Sequence, residues 1–112
     1  MATIEQCEQA LRQLAEQLAG VDSATRKKVA LDRTISCRLR DLGVIFAGEL
    51  RDGNLQNIRQ VDRDDGQLRL TMDSDDLLKL ASGELNFLRA WASGKIRVDA
   101  SVFDLLKLRS IF

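Results

Sequence analysis

At 112 residues, 45% hydrophobic and 30% charged, the chain has the size and balance of one folded domain rather than of a disordered segment. Seventeen Lys and Arg residues offset seventeen Asp and Glu, so the chain lacks the basic excess with which a nucleic-acid binder displaces counterions from phosphates. Histidine is absent, which removes the commonest general base and metal ligand.

Residues 3–19 carry Ile4, Cys7, Leu11, Leu14, Ala15 and Leu18 at three- and four-residue steps. That spacing predicts a helix with one apolar face laid on a core, closed by Gly20 at C′. The stretch from Asp22 to Leu31 is weakly patterned and reads equally as a helical turn or a loop. Its Arg26-Lys27-Lys28 run is a solvated segment, with transient contact to anionic headgroups as the most it would do at a membrane.

The period then changes to two. Ile35, Cys37 and Leu39 alternate with polar residues over 33–40; Val44, Phe46, Gly48 and Leu50 share one face over 44–51. The same alternation recurs at Leu68, Leu70 and Met72 over 67–72, and at Ile96, Val98 and Ala100 over 95–100. Residues 55–61 give a poorer strand, apolar at Leu55, Ile58 and Val61. Strict alternation means one covered and one wet face, as in a largely antiparallel sheet. Asp52-Gly53-Asn54 and Asp64-Asp65-Gly66 have hairpin-turn chemistry, and Gly48 within a strand predicts a bulge in preference to a close approach by another group.

Helices return after Met72. Asp73 is the expected N-cap of a helix ending at Gly83, with Asp75 and Asp76 in its first turn. A second helix is expected over about 84–93, with Leu85, Phe87, Leu88, Trp91 and Ala92 on one arc and Gly94 ending it. Ser101 should cap a last helix through Phe112, with Asp104 as a shortened capping-box partner. Val102, Phe103, Leu105, Leu106, Leu108, Ile111 and Phe112 occupy well over half of its circumference, more than docking on a sheet requires. The excess calls for a ligand, a partner subunit, a tunnel wall or a thick local core.

Catalytic constellations are missing. Cys7 and Cys37 fall on apolar faces without an imidazole partner, and read as reduced, buried small hydrophobes. Asp73, Asp75 and Asp76 lack the alternate spacing, glycine and distal Glu of a Ca²⁺ loop, so helix capping is the better reading. No glycine loop has phosphate-cradling spacing. Neither a secretory signal nor an apolar run of about 20 residues occurs, which makes the cytoplasm the expected compartment.

At residues 75–112 a family pattern emerges. Asp75-Asp76-Leu77-Leu78-Lys79-Leu80-Ala81-Ser82-Gly83-Glu84-Leu85-Asn86, then Trp91-Ala92-Ser93-Gly94-Lys95-Ile96-Arg97-Val98 and an apolar last helix, resembles the sterol carrier protein 2 family. The Gly83–Val98 stretch is moderately specific, and the N-terminal half matches only in its order of elements. Ala100 stands where the family usually has a glycine, and Trp91 where it commonly has Phe.

The resemblance implies a single α+β domain over 1–112: a five-stranded, mostly antiparallel sheet covered on one face by helices, with a hydrophobic tunnel between. It also implies non-covalent binding of fatty acyl groups, sterols or other lipids, with no catalytic residue, no metal and no cofactor. Phe46, Met72, Phe87, Trp91, Val102, Phe103 and Leu106 are then the expected ligand-lining residues: Phe46 and Met72 as floor, Phe103 and Leu106 as a movable lid. The alternative from a different class is an interaction module whose apolar last helix meets a second copy or a partner enzyme.

Overall fold

The computed structural model describes residues 2–19, 32–52 and 54–111. Expectations for 20–31, Gly53 and Phe112 lie outside the described residues. Helix α1 spans Ile4–Ala19. It opens on a reciprocal cap: Thr3 Oγ1 accepts from the Gln6 amide at 3.1 Å, and Gln6 Oε1 accepts from the Thr3 amide at 2.9 Å. Cys7, Ala10 and Leu11 are buried beneath it, whereas Ile4, expected on the same stripe, overhangs the core and is 39% exposed.

Strands β1 (Arg33–Leu39), β2 (Val44–Arg51), β3 (Asn54–Val61), β4 (Leu68–Met72) and β5 (Arg97–Asp99) form one sheet in the order β3-β2-β1-β4-β5. All pairings are antiparallel except β1 with β4, so the expected fold class holds. The one parallel pair corrects the sequence reading of Asp64-Asp65-Gly66. That segment carries the chain across from the β3 edge to the far side of β1, and is not a hairpin turn. Its glycine is needed for close approach: a Cβ on Gly66 would lie 2.5 Å from the Ser36 amide nitrogen. Asp64 accepts from the Ser36 hydroxyl, which itself accepts from the Gly66 amide at 3.2 Å.

A bulge is present, but on β3 rather than at Gly48 of β2, and it gives a physical reason for the weak pattern of β3. The β2–β3 register shifts between Ala47 and Glu49, and the extra residue sits on β3, where Asn57 adopts φ 58°. Leu55 and Ile58 therefore face the same side although three residues apart. Gly48 is buried against them; its Cβ would meet Leu55 Cδ1 at 3.2 Å and the Gln56 carbonyl at 3.3 Å.

Helix α2 (Ser74–Ser82) follows β4 and ends at Gly83, whose φ of 83° is left-handed. Asp73 occupies the N-cap but makes no side-chain capping bond. Asp41, from the β1–β2 turn, supplies it instead, accepting from the Ser74 amide at 2.8 Å and the Ser74 hydroxyl at 2.5 Å. Helix α3 is shorter than expected, Phe87–Ala92, because the Asn86 side chain caps it by accepting from the Arg89 amide at 3.0 Å. Helix α4 (Val102–Ile111) is capped by Ser101 Oγ, which accepts from the Asp104 amide at 3.1 Å. The Asp104 carboxylate does not reciprocate; it turns to Arg33 on β1, which corrects the capping-box reading.

Candidate ligand-binding site

The alternation of β1 and β2 sets Cys37 beside Phe46 and Ile35 beside Gly48 on the sheet face that α1 covers. Cys7, Cys37, Leu39, Phe46, Met72, Leu77, Ile96 and Val98 belong to one buried cluster. A second, smaller cluster at the other end of the sheet holds Leu50 and Leu68, with Ile35 and Ala100 packed on it. A cleft borders both. Leu11 of α1 overhangs it; Ile35 and Cys37 of β1, Phe46, Ala47 and Gly48 of β2, and Leu55 and Ile58 of β3 line it. Its volume is ≈ 20 Å³, room for about one water and far below the tunnel the family resemblance implies.

The expected lining residues divide into three groups. Phe46, 3% exposed, lines the cleft, whereas Met72, 1% exposed, is sealed in the main cluster. Phe87 and Trp91 are half-buried against that cluster, with ring centroids 6.0 Å apart and planes tilted by 57°. Val102, Phe103 and Leu106 are 74%, 72% and 64% exposed and point away from the core that Leu105 joins. Helix α4 is thus apolar on both sides, as its sequence indicated, but the residues expected to close a cavity face outward.

Leu11, Ile35, Cys37, Gly48, Leu55 and Ile58 were not among the expected lining residues. For Ile35, Cys37 and Gly48 the signal was present: they share the strand face of Phe46. Leu55 and Ile58 were hidden by the bulge.

The cleft has no acid–base apparatus. Burial, then the neighbouring Cys7, pushes the Cys37 thiol up to about 12, and burial likewise raises Cys7, so both are held as thiols. Both are free and buried. Among the described residues no group of three or more Cys, Asp or Glu side chains is placed to hold a metal ion, and no helix is long and apolar enough to cross a membrane.

Known structures share this fold. Sterol carrier protein 2 like 2 from Aedes aegypti is 16% identical with a TM-score of 0.67, over 96% of this chain and 97% of that one. The palmitate complex of Aedes aegypti sterol carrier protein 2 is 22% identical with a TM-score of 0.63, covering 96% and 93%. The inverting sec-alkylsulfatase Pisa1 from Pseudomonas sp. is 20% identical with a TM-score of 0.58 over 84% of this chain, which spans only 14% of that enzyme. No curated protein matches the sequence. The family model for the alkyl sulfatase C-terminal domain matches residues 3–112, and the chain belongs to that family.

Proposed function

We propose that this chain is a non-catalytic domain that binds an apolar ligand, a fatty acyl or other alkyl chain. The cleft beneath Leu11 carries the reading. It lies where two apolar clusters meet, its lining is apolar, and its roof is a single helix laid across the edge of the sheet. A ligand would enter by parting α1 from β3, gaining roughly 25 cal/mol for each Å² of apolar surface removed from water. The palmitate-bound relative of the same fold supports this reading, as does the alkyl substrate class in the name of the sulfatase relatives. In an alkyl sulfatase such a domain would hold or deliver the alkyl chain while chemistry proceeds elsewhere.

The test is titration of delipidated protein with a fluorescent fatty acid, read through both the probe and Trp91, alongside native mass spectrometry. Saturable binding of one ligand per chain is expected. A folded, ligand-free protein that gives no response to any alkyl chain length would overturn the reading.

One observation favours a second reading, an interaction module for a partner enzyme or a second copy. Val102, Phe103 and Leu106 form an outward apolar strip on α4 that the described residues leave uncovered. Under that reading a sedimentation experiment shows self-association or complex formation that Phe103→Ser abolishes.

A further inference from the structure

Gly48 lies in the floor of the cleft, and its backbone conformation gives no reason for a glycine. Its φ is outside the left-handed region, and a glycine in the interior of a strand weakens that strand. What a Cβ there would meet is chiefly the wall of the cleft. Leu55 Cδ1 would lie at 3.2 Å and Ile58 Cγ1 at 3.8 Å, with the Gln56 carbonyl oxygen at 3.3 Å. The missing side chain therefore leaves a depression in the floor.

The β3 bulge shapes that depression. Gly48 stands opposite the register shift between Ala47 and Glu49, with Leu55 and Ile58 on either side of the extra residue. Ile35 borders it as the partner of Gly48 on β1, and Phe46 precedes it on the same face of β2. Carbon atoms in contact lie about 3.5–4.0 Å apart. A point 3.2 Å and 3.8 Å from two wall carbons thus has room for a single column of carbon atoms, and fused rings or methyl branches are wider than that. Lifting α1 does not relieve the constraint. Gly48, Leu55 and Ile58 belong to neighbouring strands, which hydrogen bonding keeps about 4.8 Å apart whatever the roof does.

We propose that Gly48 sets the shape of ligand the cleft accepts: an unbranched alkyl chain crossing the floor between Leu55 and Ile58, to the exclusion of sterols and of chains branched along their length. This assignment rests on the ligand reading above and narrows it. The chain enters over the half-buried edge at Leu55 and Ile58, passes above Gly48 and runs towards Phe46, which is 3% exposed and closes the inner end. No charged side chain lines the cleft, so the head group stays in water at the β3 edge.

The test is displacement of a fluorescent fatty acid from delipidated protein by three competitors, each below its micelle concentration: hexadecanoic acid, hexadecanoic acid carrying methyl branches along its chain, and cholesterol. The straight acid should displace the probe, and the branched acid should need a concentration on the order of tenfold higher, as one misplaced methyl group in an apolar pocket requires. Cholesterol should not displace it. Gly48→Ala puts a methyl group into the depression and should weaken the straight acid on the order of tenfold, with a melting curve that shows the variant folded. Leu55→Ala removes one wall without touching β2, and should bring the branched acid to within about threefold of the straight one; it carries the test should Gly48→Ala fail to fold. Equal displacement by the branched acid or by cholesterol, a folded Gly48→Ala that binds as the wild type does, or undiminished discrimination in Leu55→Ala would overturn the assignment and leave the ligand reading standing. A wild type that binds neither the probe nor any competitor overturns both.

Discussion

Arg33 and Asp104, at the start of β1 and in the first turn of α4, join through two parallel bonds. Nε and Nη2 of Arg33 donate to the two oxygens of Asp104, each at 3.1 Å. The Asp104 side chain is 6% exposed, while Arg33 keeps 29%. Val102, Phe103 and Leu106 face outward, while this pair and Leu105 tie the first turn of α4 to the rest of the domain. Asp104→Ala should cost about 1–3 kcal/mol, since it leaves a partly buried guanidinium without its partner. Thermal melting at pH 7 measures the loss.

The same pair makes stability depend on acid. Hydrogen bonding from Arg33 holds the Asp104 carboxyl below the usual carboxylate range, against the opposing effect of burial. A depressed carboxylate contributes stability that is complete above its unfolded pKa of about 4 and is lost as pH falls through the folded value. The wild type should therefore lose its margin over Asp104→Asn as pH drops from about 5 towards 2. Parallel melting curves for the two proteins across that range would contradict the assignment.

The cysteines give the opposite dependence. Cys37 is pushed up to about 12 and Cys7 is raised, both chiefly by burial, so the unfolded chain ionises before the folded one does. Their contribution is intact below the unfolded pKa of about 8.5 and falls as pH climbs from there towards the raised folded values. Native protein should react with a thiol reagent only at the rate of global or local opening, and denaturant should release both thiols together. Fast labelling of Cys37 at neutral pH would mean that β1 does not face the core as described.

How much of this was legible in the sequence depended on whether the signal was periodic or long-range. The faces of β1, β2 and β4 follow from alternation at Ile35, Phe46 and Leu70, and α1 follows from its stripe. The Ser101 cap of α4 was legible, whereas the Asp41 cap of α2 and the Arg33 partner of Asp104 were not, because they reach across 33 and 71 residues. Asp73 and Asp104 were the only local choices. The crossover at Asp64–Gly66 was misread for the same reason, since turn chemistry does not reveal whether the next strand pairs with its predecessor. Apolar excess on α4 was legible, but the side on which it would be exposed was not.

Two glycines that look alike in sequence should behave differently. At Gly66 a Cβ would crowd three backbone atoms, at 2.5, 2.8 and 2.9 Å, so Gly66→Ala must shift β1 or β4 and should cost about 2–4 kcal/mol or prevent folding. At Gly83 nothing lies within 4 Å of such a Cβ, and only the left-handed φ of 83° is penalised, by about 1–2 kcal/mol. Melting of the two single variants tests the order; a milder Gly66→Ala would mean that the crossover loop can lift from Ser36.

The two surfaces that compete for a ligand can be separated by three variants. Ile58 borders the cleft on the edge strand and is only half-buried, so Ile58→Trp adds volume where the chain has some freedom to yield. It should fill the cleft and weaken fatty-acid binding at least tenfold, while Ile58→Ala, which enlarges the same space, retains it. Leu106 is 64% exposed, so Leu106→Asp places a carboxylate in water and should change stability by no more than about 0.5 kcal/mol. If the cleft beneath Leu11 holds the ligand, Leu106→Asp leaves affinity within about twofold, below the 1.4 kcal/mol that a tenfold change represents. If α4 instead folds inward as a lid, its effect on affinity exceeds that of Ile58→Trp, because a carboxylate would be forced against the alkyl chain. Fluorescent fatty-acid titrations on the three variants, each with its melting curve, decide between the floor built by β2 and β3 and the face presented by α4.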